Sequence, residues 1–132
     1  MSLLVPDAAE SVMLQNILNK TAPQTLVLKL YTNNHTPVEG DTEANYTEAS
    51  GFGYASVSLT GASWTIVTGN PTSASFAQQT FTFTGALGNV YGYFVIQTTS
   101  GKIMWAELFS DGPYNIANNG DQIKITPTIT LE

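Results

Sequence analysis

The chain has 132 residues, a length that fits one domain able to bury a core of its own. It contains no cysteine, which excludes disulfides, thiol catalysis and thiolate metal sites, and it has no arginine. Ten acidic residues against four lysines give a net charge of -6 and argue against nucleic acid or an anionic membrane as partner.

The opening residues, MSLLVPDAAE, carry no basic n-region, and their apolar run stops at Pro6. No apolar stretch approaches the ~20 residues that span a bilayer. The expectation is a chain made in the cytoplasm, with residues 1–6 as an arm of exposed apolar sequence. Asp7 and Glu10 have the spacing of a capping box, which predicts a helix over residues 7–19. Met13, Leu14, Ile17 and Leu18 then form the apolar stripe expected to dock.

Residues 25–32, TLVLKLYT, alternate like a strand. From Asn33 to Ser50 the composition turns polar and acidic with little periodicity, which reads as a long loop. Phe52–Thr60 predicts a strand with a bulge or late start near Gly53, and Trp64–Thr68 a second short one. Gly69-Asn70-Pro71-Thr72 is turn chemistry. A further strand from near Ser75 leads into Thr80–Phe109, three strand-like runs joined by glycine-bearing turns. Phe81 and Phe83 alternate with threonines. By contrast, Tyr91–Ile96 and Ile103–Phe109 are apolar enough to need cover on both faces, either by the helix stripe or by a second subunit. Tyr114–Gly120 reads as a loop. Gln122–Leu131 reads as one strand with Ile123, Ile125, Ile129 and Leu131 on one face and Pro127 marking an edge or bulge. Seven or eight strands behind one N-terminal α-helix predict a mainly β chain: a single antiparallel β-sandwich or jelly-roll-like domain, its strands within residues 25–131.

No catalytic constellation emerges. His35 is the sole histidine. Glu39, Asp41, Glu43 and Glu48 could supply oxygens to a hard cation, but their spacing departs from the calcium-loop pattern and reads as a solvated acidic loop. Gly51-Phe52-Gly53 lacks the third glycine and the following helix of a phosphate loop. Glu107 has no second carboxylate placed to work with it on a glycosidic bond, and a lone glutamate on a sheet reads as a structural or interface residue. Tyr91, Tyr93 and Trp105 could form a flat platform for sugar rings, against the plainer reading that they fill core and interface. Three Asn-X-Thr triplets, at Asn19, Asn34 and Asn45, read as chance matches in a chain rich in both residues. The expectation is therefore no enzyme, no metal and no cofactor.

Four segments in order carry a resemblance: NKTAPQTLVLKLYTNNHTPVEGDT, SGFGYASVSLTGASWT, FTFTGALGNVYGYFVI and FSDGPYNIANNGDQIKITPTITL. Across residues 3–131 the chain resembles small virion proteins of tailed bacteriophages, cyanophages among them. The resemblance implies a capsid decoration or cement protein on the outer surface of the shell, bound to the major capsid protein and oligomeric, a trimer being one form. A tail or head-fibre module that binds receptor or carbohydrate is the alternative. Candidate contact residues are Leu3, Leu4 and Val5 in the arm, and Val38, Glu39, Asp41, Glu43 and Tyr46 in the loop.

Overall fold

A computed structural model describes residues 3–131. Among the described residues one α-helix, α1 (Asp7–Ile17), precedes eleven short strands, with single 3-10 turns at Glu43–Asn45 and Gly61–Ser63. These are β1 (Leu26–Tyr31), β2 (Val57–Leu59), β3 (Thr65–Val67), β4 (Thr72–Ser75), β5 (Gln79–Thr82), β6 (Gly88–Val90), β7 (Gly92–Gln97), β8 (Ile103–Leu108), β9 (Tyr114–Ile116), β10 (Gln122–Ile125) and β11 (Thr128–Leu131). All pairings between them are antiparallel, in a mainly β, sandwich-like architecture with the helix at its N-terminal end.

The largest sheet has the order β2-β1-β7-β8. Its inner face presents Leu28 and Leu30 of β1, Tyr93 and Val95 of β7, and Trp105 of β8, in register with one another. These side chains share a core with Phe81, Phe83, Val90, Ile116, Ile123 and Ile125 from the opposing layer, which consists of the pairs β10-β5 and β6-β9. A third small sheet, β11-β4-β3, joins that core through the half-buried Trp64, Phe76 and Ile129.

Several expectations are corrected. The runs of Thr80–Phe109 do not form one continuous set of paired strands: the strand of Phe81 pairs with β10, while β7 and β8 pair in the largest sheet, so the runs belong to different layers. Tyr114–Ile116 is a strand paired with β6, not a loop. The long C-terminal run breaks at Pro127, which lacks a ladder donor and is fully buried, and its two halves join different sheets. The approach to β5 is likewise two strands, β4 and β5, in separate sheets. The late start after Gly53 is present, the strand beginning at Val57.

No capping box forms at α1. Pro6 is the N-cap, its carbonyl accepting from the Ala9 and Glu10 amides, and Asp7 is already inside the first turn. There Asp7 and Glu10 still complement the positive end of the helix dipole. The helix ends at Ile17 rather than residue 19, where Asn19 takes a left-handed conformation (φ 56°).

β7 packs tightly against its neighbours. A Cβ on Gly92 would overlap the Glu107 carbonyl oxygen and lie 2.6 Å from the Tyr31 hydroxyl, so only glycine fits there.

Candidate functional site

The residues singled out in the sequence fall into three places. The loop of residues 33–50 is the most structured. Instead of a solvated loop it is a flap over the outer face of β1 and β7. Tyr46 stacks on Phe94, with ring centroids 4.9 Å apart, and meets Tyr31 edge-on at 4.9 Å. Together with Ile96, Ile103 and Ala106 these rings make a second, smaller core. The second face of the two-sided strands is thus covered by the loop, and not by the helix stripe or by another subunit.

Asp41 holds the flap in place. Only 3% exposed, its Oδ2 accepts from the Tyr46 hydroxyl at 2.7 Å, the His35 Nε2–H at 2.8 Å and the Val38 amide at 3.0 Å. Burial would raise the Asp41 pKa, but these donors outweigh it and hold the carboxyl below its ordinary value. Burial, together with the neighbouring Asp41 charge, pushes the Tyr46 hydroxyl up. Asn33 stitches the two ends of the loop, donating to the Asn45 carbonyl and accepting from the Thr47 amide. Asp41 and Tyr46 are therefore internal, which corrects their reading as surface contacts.

Glu43 and Glu48 both reach the Lys29 ammonium at 3.1 Å. Burial of Lys29 would lower its pKa, yet the two carboxylates raise it. Tyr54 donates to Glu48 at 2.8 Å and accepts from the Leu30 amide. Asp41 is thus committed inside the flap and Glu43 and Glu48 share Lys29, and among the described residues no group of three or more His, Asp or Glu side chains gathers as an ion site. Val38 and Glu39 remain exposed at the turn of the flap.

The second place is the N-terminal arm. Leu4 pairs with Ala106, each amide donating to the other's carbonyl at 3.0 Å, so the arm covers part of the open edge of β8. Leu3 and Val5 are half-buried against the core and Pro6 is fully buried. From Leu3 to Pro6 an exposed arm is not what forms, because an apolar tripeptide beside an unpaired strand edge gains both burial and hydrogen bonds there; residues 1 and 2 of the expected arm lie outside the described residues.

The third place is the aromatic set. Tyr93 and Trp105 are buried in the main core, while Tyr91 packs against the smaller core on the other face, so the three do not form an exposed platform. A cavity of about 350 Å³ does open near Tyr93, lined also by Glu107, Phe109, Tyr114 and Lys124, with the threonines at 126, 128 and 130 along one wall. Phe109 and Tyr114 stack at 4.6 Å. Glu107 lies directly across from Tyr93 on the ladder, and burial raises its carboxyl pKa, partly offset by that tyrosine. Phe109 closes the run Ile103–Phe109 that the sequence marks as strand-like, whereas Tyr114 lies in a segment that reads as a loop and carries no periodic signal.

A fourth feature is one the sequence stripe misassigned. The side of α1 that docks against β8 consists of Ala9 and Val12, with Met13 half-buried beside them. Leu14, Ile17 and Leu18 are 61%, 79% and 66% exposed. They form an apolar ridge facing outward on a chain of net charge -6. Among the described residues no helix is long and apolar enough to cross a membrane.

Comparison of the sequence with models of known protein families finds no match, and no curated protein matches it significantly.

Proposed function

We propose that this protein is a non-enzymatic component of a tailed-phage virion, a decoration protein that binds the outer surface of the shell and stabilises it by linking neighbouring copies of the major capsid protein. The observation that carries this reading is the exposed ridge of Leu14 and Ile17 on α1 and Leu18 at its C-cap. A helix whose small residues dock inward and whose large aliphatic residues face outward gains little from its own fold, and its outer face suits burial against a partner. The resemblance over residues 3–131 supplies the virion context, and the acidic charge keeps the protein off nucleic acid. Binding of purified, undecorated shells by wild-type protein and by Leu14→Lys/Ile17→Lys tests it. Both substitutions fall on exposed positions, so the fold persists while shell binding drops by at least about tenfold for loss of a central aliphatic anchor. Undiminished binding by the double variant would count against the ridge as the contact.

A second reading, a tail or head-fibre module that binds carbohydrate, is favoured by the cavity beside Tyr93. Aromatic rings, one carboxylate, one ammonium and threonine hydroxyls line it, the mixture that ring stacking and hydroxyl recognition use. Glycan-array binding lost in Tyr114→Ala would support it.

A further inference from the structure

The sequence carries no charged residue from position 49 to position 101; all its lysines and acidic residues lie outside that span. The small sheet β11-β4-β3 is built from this neutral stretch and from the equally uncharged Thr128–Leu131. Its order leaves β3 as an edge strand. Thr65, Ile66 and Val67 are all exposed, and no lysine, glutamate or proline protects that edge. On one face of the sheet Ile66, Ala74 and Ile129 stand directly in register across the three strands. The stripe begins at Ile129, half-buried against the core, and ends in the open at Ile66, 69% exposed.

We infer that β3 pairs with β3 of a second copy of this chain, antiparallel about a two-fold axis through Ile66. The axis, perpendicular to the sheet, sets Ile66 opposite its own copy and Thr65 opposite Val67 of the other chain. It joins the two small sheets into one of six strands. The stripe then runs without a break from Ile129 of one copy to Ile129 of the other. Charge selects the second copy as occupant: two chains of net charge -6 repel over most of their surfaces, and this sheet is a place where they meet with no like charges opposed. The ridge on α1 shares its helix with Asp7 and Glu10 and lacks that advantage. A pairing of three-residue strands is small, so the dimer is weak and concentration-dependent in solution, and denser packing of copies on any surface strengthens it. The inference does not rest on the proposed function, because it concerns the purified protein alone.

The absence of native cysteine makes the test direct. Antiparallel partners stand ~4.5–5.5 Å apart at Cα, within the ~4.4–6.8 Å that a disulfide spans. In Ile66→Cys, oxidation is expected to give cross-linked dimer about tenfold faster than in Leu14→Cys, an equally exposed aliphatic position, with the rate rising with protein concentration. Adding Val67→Lys to Ile66→Cys is expected to remove the excess, while circular dichroism shows all three variants folded. Cross-linking of Ile66→Cys no faster than of Leu14→Cys, or undiminished by Val67→Lys, would overturn the pairing. Shell binding can persist in either case, so failure here is distinct from failure of the decoration role.

Discussion

Tyr46 donates its hydroxyl to Oδ2 of Asp41 at 2.7 Å, and both residues are buried although they lie in the most polar segment of the chain. This hydrogen bond ties the ring that covers Phe94 to the carboxylate that organises the loop. Tyr46→Phe keeps the ring and removes the bond, and its cost should be about 1.5–3 kcal/mol, the range for hydrogen bonds to charged groups. Denaturant unfolding at neutral pH measures it.

Asp41 also makes the flap sensitive to acid. Its folded pKa lies below the unfolded value of 3.8, so its contribution is fully present above that value and is lost as pH falls through the folded one. Wild-type stability should fall steeply on acidification below about pH 4, whereas Asp41→Asn, already weakened at neutral pH, should lack that component of the slope. Urea midpoints across the acid range distinguish the two.

Glu107 has the opposite sign. Burial raises its folded pKa above the ordinary 4.5, so the native state holds the proton more tightly than the unfolded chain does. The stability linked to this group is present below 4.5 and is lost as pH rises through the folded value. Glu107→Gln, a mimic of the protonated form, should raise the melting temperature at neutral pH, with the difference vanishing below pH 4.5. A catalytic or ligand-holding carboxylate would instead show a loss of function on this change.

Gly92→Ala should be among the most damaging single substitutions. Both the Glu107 carbonyl and the Tyr31 hydroxyl would lie closer than van der Waals contact to the new carbon, and at least one is backbone. Overpacking of this kind costs about 1–3 kcal/mol or more, read as a lowered denaturation midpoint or as failure to accumulate folded protein.

Removing residues 1–6 should destabilise the domain, not merely shorten it. Leu4 and Pro6 leave with the arm, and the edge of β8 beside Ala106 is uncovered. Increased aggregation on storage, measured by light scattering, should accompany a lower melting temperature.

The strands with strong alternation, β1 and the two isoleucines of β10, were legible because period-2 burial is written directly into Leu26, Leu28, Leu30, Ile123 and Ile125. The helix was legible as an element but not in its orientation. Helical spacing marks both Leu14–Ile17–Leu18 and Ala9–Val12 as arcs, and close approach to β8 favours the smaller side chains. Partner layers were illegible for the same kind of reason: Phe81 has the alternation of a hairpin strand, and nothing local says that its neighbour is β10, some forty residues on. The loop of residues 33–50 misled most, since its anchoring rests on a buried aspartate and tyrosine with no periodic signature. What could have indicated it is the placement of the sole histidine and a tyrosine within six residues of Asp41.

Cryo-electron microscopy of tailed-phage particles of the kind to which the proposal assigns this protein tests the proposed decoration role most directly. Density for the domain on the outer face of the shell, repeated with the capsid lattice and with Leu14, Ile17 and Leu18 against the major capsid protein, is the expected result. Density confined to the tail or a head fibre, or a shell-bound domain whose α1 ridge faces solvent, would contradict it.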